Sequence, residues 1–365
     1  MRLLFGRHRG DYLAQQDLMM PKFVDLVSLL KISAVVLVVL GLALVAILVL
    51  TQMPGHSHSG PLPTLSTEEQ ALSARLREHV RHLATAEHNV QKYAELEAAA
   101  QYIENTLAAE GYVVSRQEYE TLGRKVRNLI VTVPSQAQSG KSVIIVGAHY
   151  DSAIGSPGAN DNGTGVASIL ELAKRLKDAG ATAQSDIVFA LYTNEEEPYF
   201  RTNLMGSSLH ARSLKEKGAN VIAMFSLETM GYYSDVKGSQ KYPSPLKAFY
   251  PEQGNFIGFV GNVRSLGLVR KVTGSFRQHA AFPAEGIAGP RAIPGIDWSD
   301  HAPFMDQGYP CLMVTDTAPY RYPYYHSAQD TIDKIDFDKL ARVVVGLEAV
   351  VRDLARPNFH RKRPF

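Results

Sequence analysis

The chain has 365 residues, 45% hydrophobic and 20% charged, and 38 basic against 36 acidic side chains leave a net charge of +2. That balance provides no basic surface for nucleic acid, and no basic or aromatic-interleaved stripe is present. The single cysteine, Cys311, excludes an internal disulfide and a cysteine-rich zinc module.

Taken in chain order, residues 1–31 carry Arg2, Arg7, Arg9, Lys22 and Lys31 and read as a short cytoplasmic segment. Residues 32–53, "ISAVVLVVLGLALVAILVLTQM", hold no charge and are long enough to cross a bilayer as a helix. Downstream, the first lysine or arginine is Arg75, so the positive-inside rule puts the N-terminus in the cytoplasm. Everything after Met53 is then expected outside it, in a periplasmic, extracellular or lumenal space. The competing reading is a cleaved signal peptide. The apolar core is longer than such a peptide's, however, and no small-residue cleavage pattern follows. Residues 54–66, "PGHSHSGPLPTLS", predict an exposed linker, with His56 and His58 serving as linker polarity.

Residues 67–355 predict one α/β domain, followed by a basic tail at 356–365. "TEEQALSARLREHVRHLA" and "AELEAAAQYIENTLAAEG" read as helices, the second stopped by Gly111. Strands follow at "YVVSRQEY" and "VRNLIVTVP", then at four apolar runs, "SVIIVGAH", "DIVFALYTN", "NVIAMFSLE" and "CLMVTDT". Cys311 opens the last of these and is expected to be buried packing. Val166, Ile169, Leu170, Ala173 and Leu176 recur at helical spacing between the first two runs. Leu340, Val343, Val344, Leu347 and Val351 repeat the pattern near the end of the chain. Continuously apolar strands separated by helices imply a mostly parallel sheet covered on both faces.

Ligands in such sheets bind beyond the carboxyl ends of the strands. Here those ends carry a consistent chemistry. "VIIVGAHYDS" ends in His149 and Asp151, and the glycine-rich "GSPGANDNGTG" places Asp161 ahead of a helix. "IVFALYTNEEE" ends in Glu195, Glu196 and Glu197, "IAMFSLETMG" in Glu228, and "YRYPYYHSAQDT" supplies His326 and Asp330. Adjacent carboxylates repel unless a cation offsets them. Two imidazoles among several carboxylates form a nitrogen and oxygen donor set suited to zinc. Taken singly, each residue has an ordinary structural explanation: Asp161 as a helix cap, Glu228 as an arginine partner.

In the order "GAHYDS", "GANDNGTG", "NEEEPYF", "SLETMGYY", "SDHAPF" and "YHSAQDT", the chain resembles the di-zinc aminopeptidase family of metallopeptidases, from about residue 85 to 350. Glutamate carboxypeptidases and glutaminyl cyclases are relatives of that family. The resemblance implies a three-layer domain whose mixed, mostly parallel central sheet is flanked by helices. It implies two zinc ions per chain bridged by Asp161, with His149 and Glu228 completing one site and Glu196 and His326 the other. Glu195 would be the general base, and Asp151 would orient His149. A cis peptide between Asp161 and Asn162 is implied as well.

The family pattern is a glutamate pair, whereas this chain has three. Asn194, a small polar residue at the strand end, favours Glu195/Glu196 as the pair and leaves Glu197 at the rim. Asp300 and His301 are expected behind the metal site or against substrate, and Tyr322, Tyr324 and Tyr325 near the pocket. The function expected is a membrane-anchored zinc exopeptidase acting on peptide N-termini. A glutaminyl-cyclase-like acyltransferase and a carboxypeptidase are the alternatives, the latter needing an arginine clamp from Arg201, Arg291 or Arg321.

Overall fold

A computed structural model describes residues 26–137 and 141–356, so Arg2, Arg7, Arg9, Lys22 and residues 357–365 of the basic tail lie outside the described residues. The chain divides into two units, residues 1–48 and 49–365. The first contains most of helix α1 (Leu26–Thr51), which begins six residues before the apolar run at Ile32. Within Val27–Thr51 an 18-residue window reaches a mean hydropathy of 3.2, and none of that window is buried against protein. At 1.5 Å per residue a helix of this length spans about 39 Å, enough for a hydrocarbon core.

The second unit is built on one eight-stranded sheet. In chain order the strands are β1 (Ser115–Thr121), β2 (Arg124–Val133), β3 (Ser142–His149), β4 (Ser185–Tyr192), β5 (Asn220–Glu228), β6 (Ile257–Asn262), β7 (Ala284–Gly289) and β8 (Cys311–Thr315). Across the sheet they lie β1-β2-β4-β3-β5-β8-β6-β7. The central four, β4, β3, β5 and β8, are parallel, while β1, β2 and β6 introduce antiparallel pairs.

The helices are α2 (Thr67–Leu83), α3 (Tyr93–Ala109), α4 (Gly163–Leu176), α5 (Gly206–Glu216), α6 (Leu266–His279), α7 (His301–Asp306), α8 (Ala318–Arg321) and α9 (Phe337–Ala355). Ser66 starts α2 with a reciprocal cap: its hydroxyl accepts from Glu69 N and the Glu69 carboxylate accepts from Ser66 N. One sheet face carries Ile144, Val146 and Ala148 against α2, α4, α6 and α9. The other carries Ile145, Ala190 and Met224 against Ala211 of α5 and Phe304 of α7, with Cys311 fully buried among them. That is the three-layer arrangement expected, and both faces of the parallel strands are dry.

β6 and β7, with α5, α6 and α7, were not among the predicted elements. "IGFVGN" and "AEGIAG" are glycine-containing and short, so local preference for strand is weak and neighbours impose it. The linker residues 54–66 are exposed or half-buried, and part of the segment is tied down. Met53 and Leu62 pack against the main core, and Arg277 donates to the carbonyls of Met53, Pro54 and Gly55. Polar composition predicted exposure, but the carbonyls of this turn-rich segment find a buried guanidinium.

Candidate metal centre

From β3 the chain passes through α4 to β4 on one side, then crosses to β5 on the other. The carboxyl ends of β3 and β5 thus flank the point where strand order reverses, which leaves a crevice. His149 is the last residue of β3 and Glu228 the last of β5. Asp161 sits in the β3–α4 loop, Glu195 and Glu196 follow β4, and His326 comes from the loop after α8.

Asp161 is the centre of the cluster. Its Oδ1 lies 3.3 Å from His149 Nε2, which in turn is 3.3 Å from Glu228 Oε2. Its Oδ2 lies 3.0 Å from His326 Nε2, which is 3.3 Å from Glu196 Oε2. Two donor triads therefore share one carboxylate, the donor atoms of each within 4.8 Å; a third group of the same span, His149, Glu195 and Glu196, lies outside it. Glu195 Oε2 stands 3.9 Å from His149 Nε2, beside both. Glu197 is exposed, and its peptide bond to Pro198 is cis.

A metal fits these atoms. His149 Nε2, both Asp161 carboxylate oxygens and Glu196 Oε1 are buried without a hydrogen-bond partner. Donors left this way cost free energy unless something else meets them. Tetrahedral zinc with ligand distances of about 2.0–2.1 Å sets its donors about 3.3 Å apart, the spacing seen here.

The surrounding residues hold the donors in place. His149 Nδ1 is 3.0 Å from the Asp151 carbonyl, which leaves Nε2 directed at the cluster. The Asp151 carboxylate is farther from that ring, at 3.6 Å, and instead accepts from Glu195 N at 3.1 Å and Glu196 N at 3.2 Å. Asp151 thus orients His149 through its backbone and the glutamate turn through its side chain. Asn194, Thr229 and His326 adopt left-handed backbone at φ 61°, 47° and 53°. All three adjoin or belong to the cluster, where strained backbone is a functional signature.

The cis Asp161–Asn162 peptide is present. Asn162, rather than Asp161, caps α4, accepting from Gly165 N and from Thr229 N. Asp330 accepts from Asn160 N at 2.8 Å and Asp161 N at 3.1 Å, fixing the backbone of the shared carboxylate. Ser299 was missed by sequence reasoning: its hydroxyl donates to Glu228 Oε2 at 2.6 Å and meets Ser226 Oγ at 2.6 Å. Its place at the head of "SDHAPF" was the available signal.

Asp300 and His301 are fully buried. His301 Nε2 contacts the Ile296 carbonyl at 2.8 Å, and burial pushes its imidazole down to about 4. It is neutral and structural. Tyr325 stacks on His326 with centroids 3.8 Å apart, while Tyr322 donates to Asp330.

The electrostatics follow from crowding. Burial pushes Glu195 well up, opposed by His149 and reinforced by Glu228, Glu196 and Asp300. Glu196 is pushed up to about 7 by burial and by Asp161. Burial pushes Asp161 up too, but contacts with His149 and His326 outweigh it and hold the carboxyl below its usual range. Burial lowers both imidazoles, yet the carboxylates around them win, His149 ending well above its ordinary value and His326 at about 10. Beside the cluster opens an apolar cavity of about 100 Å³, which Glu228, Thr229 and Tyr325 border at the metal side and Phe259, Ile287 and Met313 line within.

The crevice, the shared carboxylate and the adjacent apolar cavity define a metallohydrolase. The model of peptidase family M28 matches residues 128–351, and the chain belongs to that family of zinc metallopeptidases. An uncharacterised Escherichia coli (strain K12) protein, YfbL, is 35% identical over 293 residues, covering 77% of this chain and 88% of the relative. A probable leucine aminopeptidase of Arthroderma otae is 29% identical over 262 residues, 67% of this chain and 62% of the relative. The Legionella pneumophila LapA aminopeptidase structure superposes with a TM-score of 0.61 at 18% identity, covering 82% of this chain and 78% of that one. At that identity the likeness speaks to the fold.

Proposed function

We propose that this chain is a two-zinc aminopeptidase. His149, Asp161 and Glu228 would hold one ion and Asp161, Glu196 and His326 the other, each short of a fourth ligand as catalytic sites are. Zinc so held supplies a Lewis acid for the scissile carbonyl and lowers the pKa of water toward about 7. Glu195, buried beside both triads and outside their closest contacts, takes the proton from water and returns it to the leaving amine. Asp151 fixes the turn that separates those two glutamate roles. The adjacent cavity accepts a large apolar side chain next to the scissile bond.

The observation that carries the choice of the N-terminal end is the state of the three arginines near the site. A carboxypeptidase needs a free guanidinium to grip a terminal carboxylate. Arg201 and Arg291 are both bound to Asp297, and Arg291 also to Asp306. Arg321 is buried, donating to Gln240 Oε1 and the Phe256 carbonyl, and its unpartnered Nη2 is buried with it. The cluster's carboxylates are instead the partners that a substrate ammonium requires. The test is a set of matched peptides. Free N-termini should be cleaved one residue at a time, and N-acetylation should block cleavage. Efficient cutting of acetylated peptides with failure on amidated C-termini would make the enzyme a carboxypeptidase, and cyclisation of N-terminal glutamine without hydrolysis would make it a cyclase.

Helix α1 would serve as an uncleaved single-pass anchor. The asymmetry between Lys31 with its upstream arginines and the first downstream basic residue, Arg75, supports an extracytoplasmic catalytic domain comprising residues 67–355.

A further inference from the structure

Among the described residues, strand β7 ends the sheet, with β6 on one side only, and an open edge of this kind is normally covered or blunted. Here the cover is the segment Met53–Ser57, directly after α1. Ser57 Oγ accepts from Ala284 N at 2.9 Å, the Met53 side chain presses on Gly286, and Pro54 lies over Gly274 of α6. One side chain fastens it. Arg277 Nη1 donates to the carbonyls of Met53 (3.1 Å), Pro54 (3.3 Å) and Gly55 (3.1 Å). Its Nε and Nη2 donate to the Ala284 carbonyl at 3.1 and 2.7 Å, and Nη2 also reaches Glu285 Oε2 at 3.1 Å.

Glu285 has a second neighbour: it lines the apolar cavity that opens from the metal centre. Among the described residues bordering that cavity, Glu285 and the proposed zinc ligand Glu228 are the only charged ones. The remaining wall near Glu285 is Gly286, Ile287, Tyr250 and Leu246, with the Tyr250 hydroxyl tied to the Gly286 carbonyl at 2.8 Å. An unpaired carboxylate in such a wall would oppose neutral side chains and attract cations. Arg277, only 7% exposed, cancels that charge, and the strap carbonyls keep its guanidinium in position.

We propose that Arg277 is a specificity-positioning residue: held by the Met53–Gly55 carbonyls, it neutralises Glu285 in the cavity wall and so reserves the cavity for neutral side chains. The segment following the apolar helix is then part of the substrate pocket's construction. This rests on the aminopeptidase reading for its consequence in turnover, while the charge logic applies to any ligand of the cavity. Burial raises the Glu285 carboxyl and Arg277 opposes that rise, so the comparison belongs at about pH 8, well above the usual carboxylate range.

The experiment uses the full zinc-loaded chain and two amine probes, 3-methylbutylamine and 1,5-diaminopentane, with binding measured by calorimetry. They share one ammonium and differ in what reaches into the cavity. Wild type should prefer 3-methylbutylamine. Arg277→Met should move the affinity ratio toward the diamine by at least about tenfold, the scale of one charge-assisted hydrogen bond. Adding Glu285→Gln to that variant should restore the wild-type preference, which a general loss of structure would not do. Glu285→Gln alone leaves Arg277 unopposed and should weaken the diamine further, so it decides the matter if Arg277→Met fails to fold. Ratios within about twofold of wild type in both single variants, Arg277→Met and Glu285→Gln, would overturn the proposal. In turnover, leucyl and lysyl anilides should show the same reversal in kcat/KM. A wild-type chain that hydrolyses neither would defeat the aminopeptidase reading, while the binding ratios would still decide this one.

Discussion

At the scale of residues, three consecutive glutamates meet two environments and, on the proposed function, have three tasks. Glu195 and Glu196 are buried while Glu197 faces solvent, because Asp151 grips the amides of the first two and Pro198 turns the chain away after the third. Glu195→Gln should therefore retain zinc and lose at least about a hundredfold in kcat, the scale of a missing general base. Glu196→Gln should lower zinc content, and Glu197→Gln should do little to either. Zinc loss on Glu197→Gln would shift the register by one. The crowded carboxylates raise His149 and His326, so on the proposed ligand set zinc would have to displace protons from both imidazoles. Affinity should accordingly fall as pH falls through the range below about 10 set by His326, with proton release seen as a buffer-dependent heat of binding. A pH-independent affinity would mean that neither imidazole holds metal. The candidate donors were legible in the sequence because each is a metal-type side chain at the end of an apolar run. Ser299 was not, since its role depends on lying 2.6 Å from Glu228, a residue 71 positions away. Nor was the division of labour in Asp151, whose carbonyl and carboxylate serve different partners.

At the scale of elements, what could be read depended on how strongly each segment declares itself. β3, β4, β5 and β8 are apolar runs and were found to within a residue or two, as were α2 and α9, while the periodic face of α4 was found but the helix stops four residues sooner than expected. β6 and β7 carry glycines where β-branched residues would signal a strand, and only their partners make them strands. Glycine has its own use in the centre: Gly165 lies so close to Asn162 and the Leu227 carbonyl that a side chain there would separate α4 from the end of β5. Leu347, buried in α9 against the main core, tests how much of the domain depends on this layer. Leu347→Ala should cost about 2–5 kcal/mol in chemical denaturation of the catalytic domain, with zinc content of the folded fraction unchanged. A cost below about 1 kcal/mol would mean that the α9 face does not carry the core packing described.

At the scale of the whole molecule, the sequence separates an apolar helix from an α/β catalytic unit, and the structure describes each in those terms. The turn-rich stretch between them read as an exposed linker and its residues are exposed or half-buried, but composition does not report the partners that its backbone carbonyls find. The anchor reading predicts that alkaline phosphatase fused after Ser66 is active, whereas activity from a cytoplasmic reporter alone at that position would reverse the topology. The central claim is that one carboxylate, Asp161, joins two zinc sites. Anomalous scattering at the zinc edge from crystals of the zinc-loaded protein measures this directly. Two peaks of similar height should flank Asp161, one among His149, Asp161 and Glu228 and the other among Asp161, Glu196 and His326. A single peak at full zinc loading, or a second peak coordinated by Glu197, would contradict the account.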